Sequence, residues 1–185
     1  MPATVLSSSD IEIRTARPED ALCLSVLAMQ VFLDTYATEG IRPAIAREVL
    51  TSYSEKTFRS AIQTESSGLL LAERASHLIG FAQVTFGAEH ELAPSGSQAE
   101  LLRLYIQEPF TGQGLGTVLL AGAEGLAGEA GATVLWLTPY VYNHRALAFY
   151  SRRGYKDFGF TPFVFEGESH ENRVYAKSLA TAGAA

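Results

Sequence analysis

Three glycines at alternate positions are the most reactive-looking feature of this chain: Gly112, Gly114 and Gly116 within Thr111-Gly112-Gln113-Gly114-Leu115-Gly116-Thr117. An apolar, strand-like stretch at 100–107 precedes them, and a helix-like stretch at 115–130 follows. The first N–H groups of a helix have no intrahelical acceptor, and the helix dipole adds roughly half a positive charge there. Glycine removes the Cβ atoms that hold a backbone away from a ligand. Strand, glycine loop and helix therefore make a site for a diphosphate. Two cofactor classes that use such loops do not fit. A P-loop needs Lys and then Ser or Thr after its last glycine, whereas Thr117 follows Gly116 directly. A dinucleotide fingerprint needs Gly-x-Gly-x-x-Gly in a parallel βαβ unit; counted from Gly112 the last position is Thr117, and the preceding strands read as a hairpin. Coenzyme A remains open, and so does a tight turn that binds nothing.

A second segment, one helix and one strand downstream, separates those two. Asn143, Ala146, Tyr150, Gly154 and Tyr155 fall within residues 136–155. Glycine loop and downstream segment together resemble the GNAT acetyltransferase superfamily. Its members carry a strand, an (Arg/Gln)-x-x-Gly-x-(Gly/Ala) loop and a helix, then Asn-x-x-Ala-x-x-x-Tyr and a Gly-(Phe/Tyr) pair. The likeness is strongest over residues 100–155 and weaker, but consistent, over 11–86 and the closing strands. Within the superfamily the chain looks closest to PaiA-like acetyltransferases, a group that includes polyamine acetylators. The segments Val31-Phe32-Leu33-Asp34-Thr35-Tyr36, Leu102-Arg103-Leu104-Tyr105-Ile106 and Ala146-Leu147-Ala148-Phe149-Tyr150 carry that narrower likeness.

The resemblance implies acetyl-CoA as cofactor and acetyl transfer to a primary amine by direct attack in a ternary complex. The amine is expected to be small, such as a polyamine. A protein N-terminus or lysine is the alternative acceptor. A coenzyme A-binding regulator without chemistry, or an interaction module with an empty cleft, are the alternatives of other classes. Backbone groups of Leu104, Tyr105 and Ile106 match those that pair with the pantetheine arm and hold the acetyl carbonyl, by strand addition and oxyanion donation. Gly112, Gln113, Gly114, Leu115, Gly116 and Thr117 match the pyrophosphate cradle. Asn143 matches a side chain that hydrogen-bonds the arm, and it also suits a helix N-cap. Tyr150 matches the general acid that protonates or stabilises the departing thiolate; its plainer reading is an aromatic packed in the core.

Two departures matter. The loop's first position, often Arg or Gln in the family, is Thr111. A cationic contact is then missing from the loop: either the backbone cradle holds the diphosphate alone, with weaker affinity, or Lys156, Arg152 or another basic group substitutes. Thr138 stands where some relatives that acetylate protein N-termini carry Glu, and Thr is no base. A lysine-like amine is neutral in about 1 part in 2,500 at pH 7, equivalent to about 4.6 kcal/mol. Glu100 is a candidate to assist as base, with Asp34 and Tyr36 on the substrate side; each also reads as an ordinary structural group. Glu73 and Glu166 rank below them. The four His are scattered, and no His, Asp or Glu cluster has metal spacing, so no metal is expected.

The rest of the chain must position these groups. Its 185 residues, 47% hydrophobic, suit one domain. A single cysteine, Cys23, rules out an internal disulfide. Residues 1–10 do not read as a signal peptide, and no apolar run approaches the roughly 18–20 residues that span a bilayer; a cytoplasmic location is expected. The net charge of −6 argues against nucleic acid as partner and is compatible with a cationic substrate. Expected elements are a strand at 11–14, helices from 18 (apolar repeat Leu22, Val26, Met29, Leu33), at 43–53 and from 54, a hairpin at 68–86, a loop at 87–98, the strand-loop-helix unit, a buried strand at 133–137, a helix at 143–153 and strands at 155–165 and 172–179. Residues 1–10 and 180–185 read as frayed, and 11–179 as one mixed α/β (α+β) domain around a mostly antiparallel sheet. By analogy with relatives, the closing strands leave a sheet edge that a homodimer pairs.

Overall fold

A computed structural model describes residues 11–165 and 168–180. The frayed stretches expected at 1–10 and 180–185, apart from Ala180, and Glu166 lie outside the described residues. In chain order the elements are β1 (Ile11–Thr15), α1 (Ala21–Tyr36), α2 (Pro43–Ser52), α3 (Glu55–Gln63), β2 (Ser67–Arg74), β3 (His77–Phe86), β4 (Gln98–Ile106), α4 (Leu115–Glu129), β5 (Val134–Leu137), α5 (His144–Arg152), β6 (Lys156–Phe165) and β7 (Glu168–Ser178). Short 3-10 turns at Pro18–Asp20 and Glu108–Phe110 precede α1 and the glycine loop.

Seven strands form one sheet in the order β1-β2-β3-β4-β5-β7-β6. Every neighbouring pair is antiparallel except β4 and β5. One face packs under α4, with Leu119, Leu120, Leu135 and Leu137 in the core. The other packs under α1 to α3, around Leu24, Phe32, Phe58 and Phe81. Each such side chain contributes about 1.5–3 kcal/mol by leaving water. Helix α4 carries Gly122, Gly125 and Gly128 in its interior, residues that each cost about 1 kcal/mol against Ala. Gly122 has a packing reason, because a Cβ there would lie 2.5 Å from Leu70 Cδ1. It lets the helix settle onto β2.

Two expectations are corrected. Of the apolar repeat Leu22, Val26, Met29, Leu33, only Met29 and Leu33 pack against the core. Leu22 and Val26 are 58% and 59% exposed, and Leu24, Leu27, Ala28 and Phe32 are buried instead. The helix is apolar nearly all round, so periodicity alone offered two faces. The last strand begins at Glu168 rather than at 172. Its polar start runs past the end of β5, where it pairs with β6. Strand β6 is a sheet edge, and it tolerates Pro162 for that reason.

One feature of the sheet positions the site. Strand β5 pairs only with Gln98, Ala99 and Glu100 of β4. Beyond Glu100 the parallel strands separate, while β4 continues along β3 to Ile106. A bulge at Leu102, between the pairs Leu101↔Val84 and Arg103↔Gln83, re-aims this free half of β4.

Candidate active site

The divergence of β4 and β5 opens a cleft of about 950 Å³. Leu104 and Ile106 line one wall, the glycine loop and α5 another, and α1 closes the far end through Val31, Asp34 and Thr35. Gln107 N–H donates to Ile79 O at 3.0 Å. Antiparallel residues alternate between facing the partner and facing away. Tyr105 therefore commits its peptide groups to Phe81, its register partner, and Leu104 and Ile106 turn theirs into the cleft. The Tyr105 side chain packs on the α1–α3 face of the sheet, near enough to Tyr150 to act on its hydroxyl. Its hydroxyl lies 3.4 Å from that of Tyr53, and its ring meets Phe81 edge-on.

The glycine loop is held open. Gly112 and Gly114 have φ of +73° and +86°, which side chains rarely adopt. A Cβ at either would meet nothing within 4 Å, so neither glycine is there for internal packing. Among the described residues, the N–H groups of Gly112, Gln113, Gly114, Leu115 and Gly116 have no acceptor in the protein. Those of Thr117 and Val118 both donate to Gly114 O. Gln113 folds its side chain back to Pro109 O at 2.9 Å, and Leu115 is core, 2% exposed. These two residues offer only their peptide groups. Five unpaired N–H groups at a helix N-terminus fit a diphosphate, and therefore coenzyme A.

Asn143 caps α5: its Oδ1 accepts the Ala146 N–H at 3.1 Å. The cap leaves Nδ2 free, on a residue that lines the cleft. Tyr150 lies one wall deeper, 8% exposed, in edge contact with Phe149 and Tyr155. Its hydroxyl has no hydrogen-bond partner among the described residues. Burial, and then the neighbouring Tyr105, push its phenol well above the usual tyrosine range, so it is protonated at neutral pH.

The carboxylates divide. Asp34 lines the cleft and has no basic partner among the described residues. Glu100 does not line it. It pairs in register with Trp136, on the side of the sheet opposite Ala99 and Leu101, and burial pushes its carboxyl up while Arg103 opposes. Tyr36 borders a smaller adjoining hollow of about 450 Å³ that shares Thr38 with the main cleft. Its ring packs 4.6 Å from Phe32 and 5.3 Å from Tyr140, and burial raises its phenol. Lys156 lies in β6 opposite Ala176, away from the loop, whereas Arg152 lines the cleft.

Sequence reasoning passed over Tyr140 and Tyr142, which line the cleft between β5 and α5 with rings 5.4 Å apart. Two aromatics in a loop are a signal that chemistry sits there. Strand β7 fixes that loop: Val141 N–H donates to Glu171 O, and Arg173 N–H to Pro139 O. No helix among the described residues is long and apolar enough to cross a membrane.

Comparison with known proteins agrees with this geometry. The model of the acetyltransferase (GNAT) family matches residues 36–155. A spermidine N(1)-acetyltransferase of Thermoplasma acidophilum is 31% identical over 150 residues, 79% of this chain and 88% of that protein. An uncharacterised N-acetyltransferase of Mycobacterium tuberculosis is 28% identical over 135 residues, 70% of this chain and 81% of its own. Among solved structures, the PaiA N-acetyltransferase of Thermoplasma acidophilum in complex with coenzyme A superposes with a TM-score of 0.70 at 26% identity, covering 91% of this chain and 98% of that one. A ribosomal-protein-alanine N-acetyltransferase of Brucella melitensis reaches the same TM-score at 20% identity, covering 91% and 99%, so it shares the fold. With the family model spanning most of the chain and the splayed strands, glycine loop and Tyr150 in one cleft, the chain belongs to the GNAT family of acetyl-CoA-dependent N-acetyltransferases.

Proposed function

We propose that this enzyme acetylates a primary amine of a small, flexible polycation, a polyamine, by direct attack in a ternary complex. The observation that carries this reading is the acceptor end of the cleft, where Asp34 stands without a basic partner among the described residues and Tyr140 and Tyr142 present their rings. A carboxylate and aromatic faces both attract an alkylammonium ion. The negative net charge draws cations from a distance. The likeness to a spermidine acetyltransferase supports the same class.

Acetyl-CoA supplies the activated acetyl group as a thioester. The N–H groups of residues 112–116 hold its diphosphate, and the peptide groups of Leu104 and Ile106 hold the amide-bearing arm as an added strand. The Asn143 Nδ2 donates to that arm. Tyr150 donates to the sulfur as it departs. A phenol held above its usual pKa of about 10 does not ionise spontaneously toward a thiol of about 8.5. Tyr150 therefore holds the sulfur by a hydrogen bond and relays the proton that the amine releases. Asp34 does not make a good base for the attacking amine, because an anion beside it favours the charged ammonium. Its better use is to anchor a second ammonium, which leaves the attacking amine to shed its proton as it enters the cleft.

Initial rates on an amine panel test this. Diamines and polyamines are expected to exceed a monoamine of equal length by about 10-fold or more in kcat/KM, the value of one charge-assisted hydrogen bond. That preference should vanish in Asp34→Asn. Equal rates on the monoamine, or a best rate on a peptide α-amine, would sink the polyamine reading and leave the acetyltransferase intact.

A further inference from the structure

We infer that Arg153 supplies the cation for the cofactor's diphosphate that Thr111 lacks. The Thr111 hydroxyl is turned into the preceding turn, donating to Glu108 O at 2.8 Å. The nearby cation Arg145 is taken up by the Glu108 carboxylate, at 3.1 and 3.2 Å. Arg153 differs on each count. It follows the last turn of α5, and its guanidinium stands 5.3 Å over the Phe149 ring. That ring lies against the third glycine of the loop: a Cβ on Gly116 would sit 3.4 Å from Phe149 Cζ. From this platform Arg153 donates to the Thr117 hydroxyl, in the first turn of α4. No carboxylate pairs with it among the described residues.

Gly116, Phe149, Arg153 and Thr117 thus form one connected corner, all four on the cleft that holds the unpaired N–H groups. A guanidinium fixed over a ring retains several donors in a planar fork suited to phosphate oxygens. Arg152 has no such platform. The family's cation arrives from the start of the loop; in this chain it arrives from the end of α5, beside the first turn of α4.

The inference rests on the diphosphate lying at residues 112–116, and not on the acceptor. Calorimetric titration of coenzyme A, 3′-dephospho-coenzyme A and pantetheine into wild type and Arg153→Gln tests it. Wild type is expected to bind both nucleotides far more tightly than pantetheine; equal affinities would overturn the diphosphate site itself. Arg153→Gln is expected to weaken coenzyme A and its 3′-dephospho form by the same factor, about 10-fold or more, with pantetheine unchanged. Arg153→Lys should recover part of the loss, and this variant also serves if the Gln variant folds poorly, with thermal melting as the check. Unchanged affinity in Arg153→Gln overturns the inference while sparing the glycine loop. A loss confined to coenzyme A and absent from its 3′-dephospho form also overturns it, by moving the contact to the ribose phosphate.

Discussion

The two ends of the cleft are built from different materials. The cofactor end is backbone: five N–H groups at residues 112–116 and the peptide groups of Leu104 and Ile106, held by one contiguous strand-loop-helix unit. The proposed acceptor end is side chains: Asp34 from α1 and Tyr140 and Tyr142 from the β5–α5 loop, brought to one cleft across over a hundred residues of sequence. Backbone binding depends on conformation, which glycines at positive φ encode locally. Side-chain binding depends on packing between remote elements. The first is therefore tolerant of most sequence change and serves a shared cofactor. The second changes with single substitutions and, on the proposed reading, sets the acceptor.

Tyr150 lines the same cleft, and its removal is the largest effect expected. Tyr150→Phe keeps the ring contacts with Phe149 and Tyr155 and deletes the hydroxyl. A fall in kcat of about 100-fold or more is expected, within the range for a lost acid–base group. Coenzyme A affinity should stay within about twofold, since the diphosphate and arm contacts remain. An unchanged kcat would make Tyr150 a packing residue and break the division of labour between the ends.

Glu100 belongs to neither end, which gives a smaller and opposite prediction. Burial raises its carboxyl pKa in the folded protein, so the protonated form is the one folding favours. Stability from that proton is present at low pH and is lost as pH rises through the folded pKa. Glu100→Gln, which stays neutral, should then be the more stable protein at neutral pH, with Tm higher by about 2–4 °C, roughly 1 kcal/mol for a chain this size. The gain should shrink in acid, with kcat unchanged throughout. A large loss of kcat would restore Glu100 as a base.

The same contrast explains what could be read from the sequence. The glycine loop, Asn143 and Tyr150 were legible because their spacing along one unit is the signal. So was the sheet's strand sequence, down to the Asn143 cap and Gly131, whose φ of +86° ends α4. Glu100 could not be placed from sequence: it is close to Leu104 along β4, but the pleat turns it to the opposite face of the sheet, outside the residues that line the cleft. Thr111 reads as a missing cation; only the fold shows Arg153 stacked on Phe149 and bonded to Thr117 beside the loop. Tyr140 and Tyr142 are two aromatics in a loop until β7 pins that loop to the cleft.

Backbone amide NMR of this 20.0 kDa chain, titrated with coenzyme A, tests the central claim most directly. The account predicts the largest amide shifts at Leu104, Ile106 and Gln113 through Gly116, with Asp34 and Tyr142 nearly still until an amine is added. Shifts centred on Asp34 and Tyr142 on coenzyme A alone, with the glycine-loop amides unmoved, would contradict it.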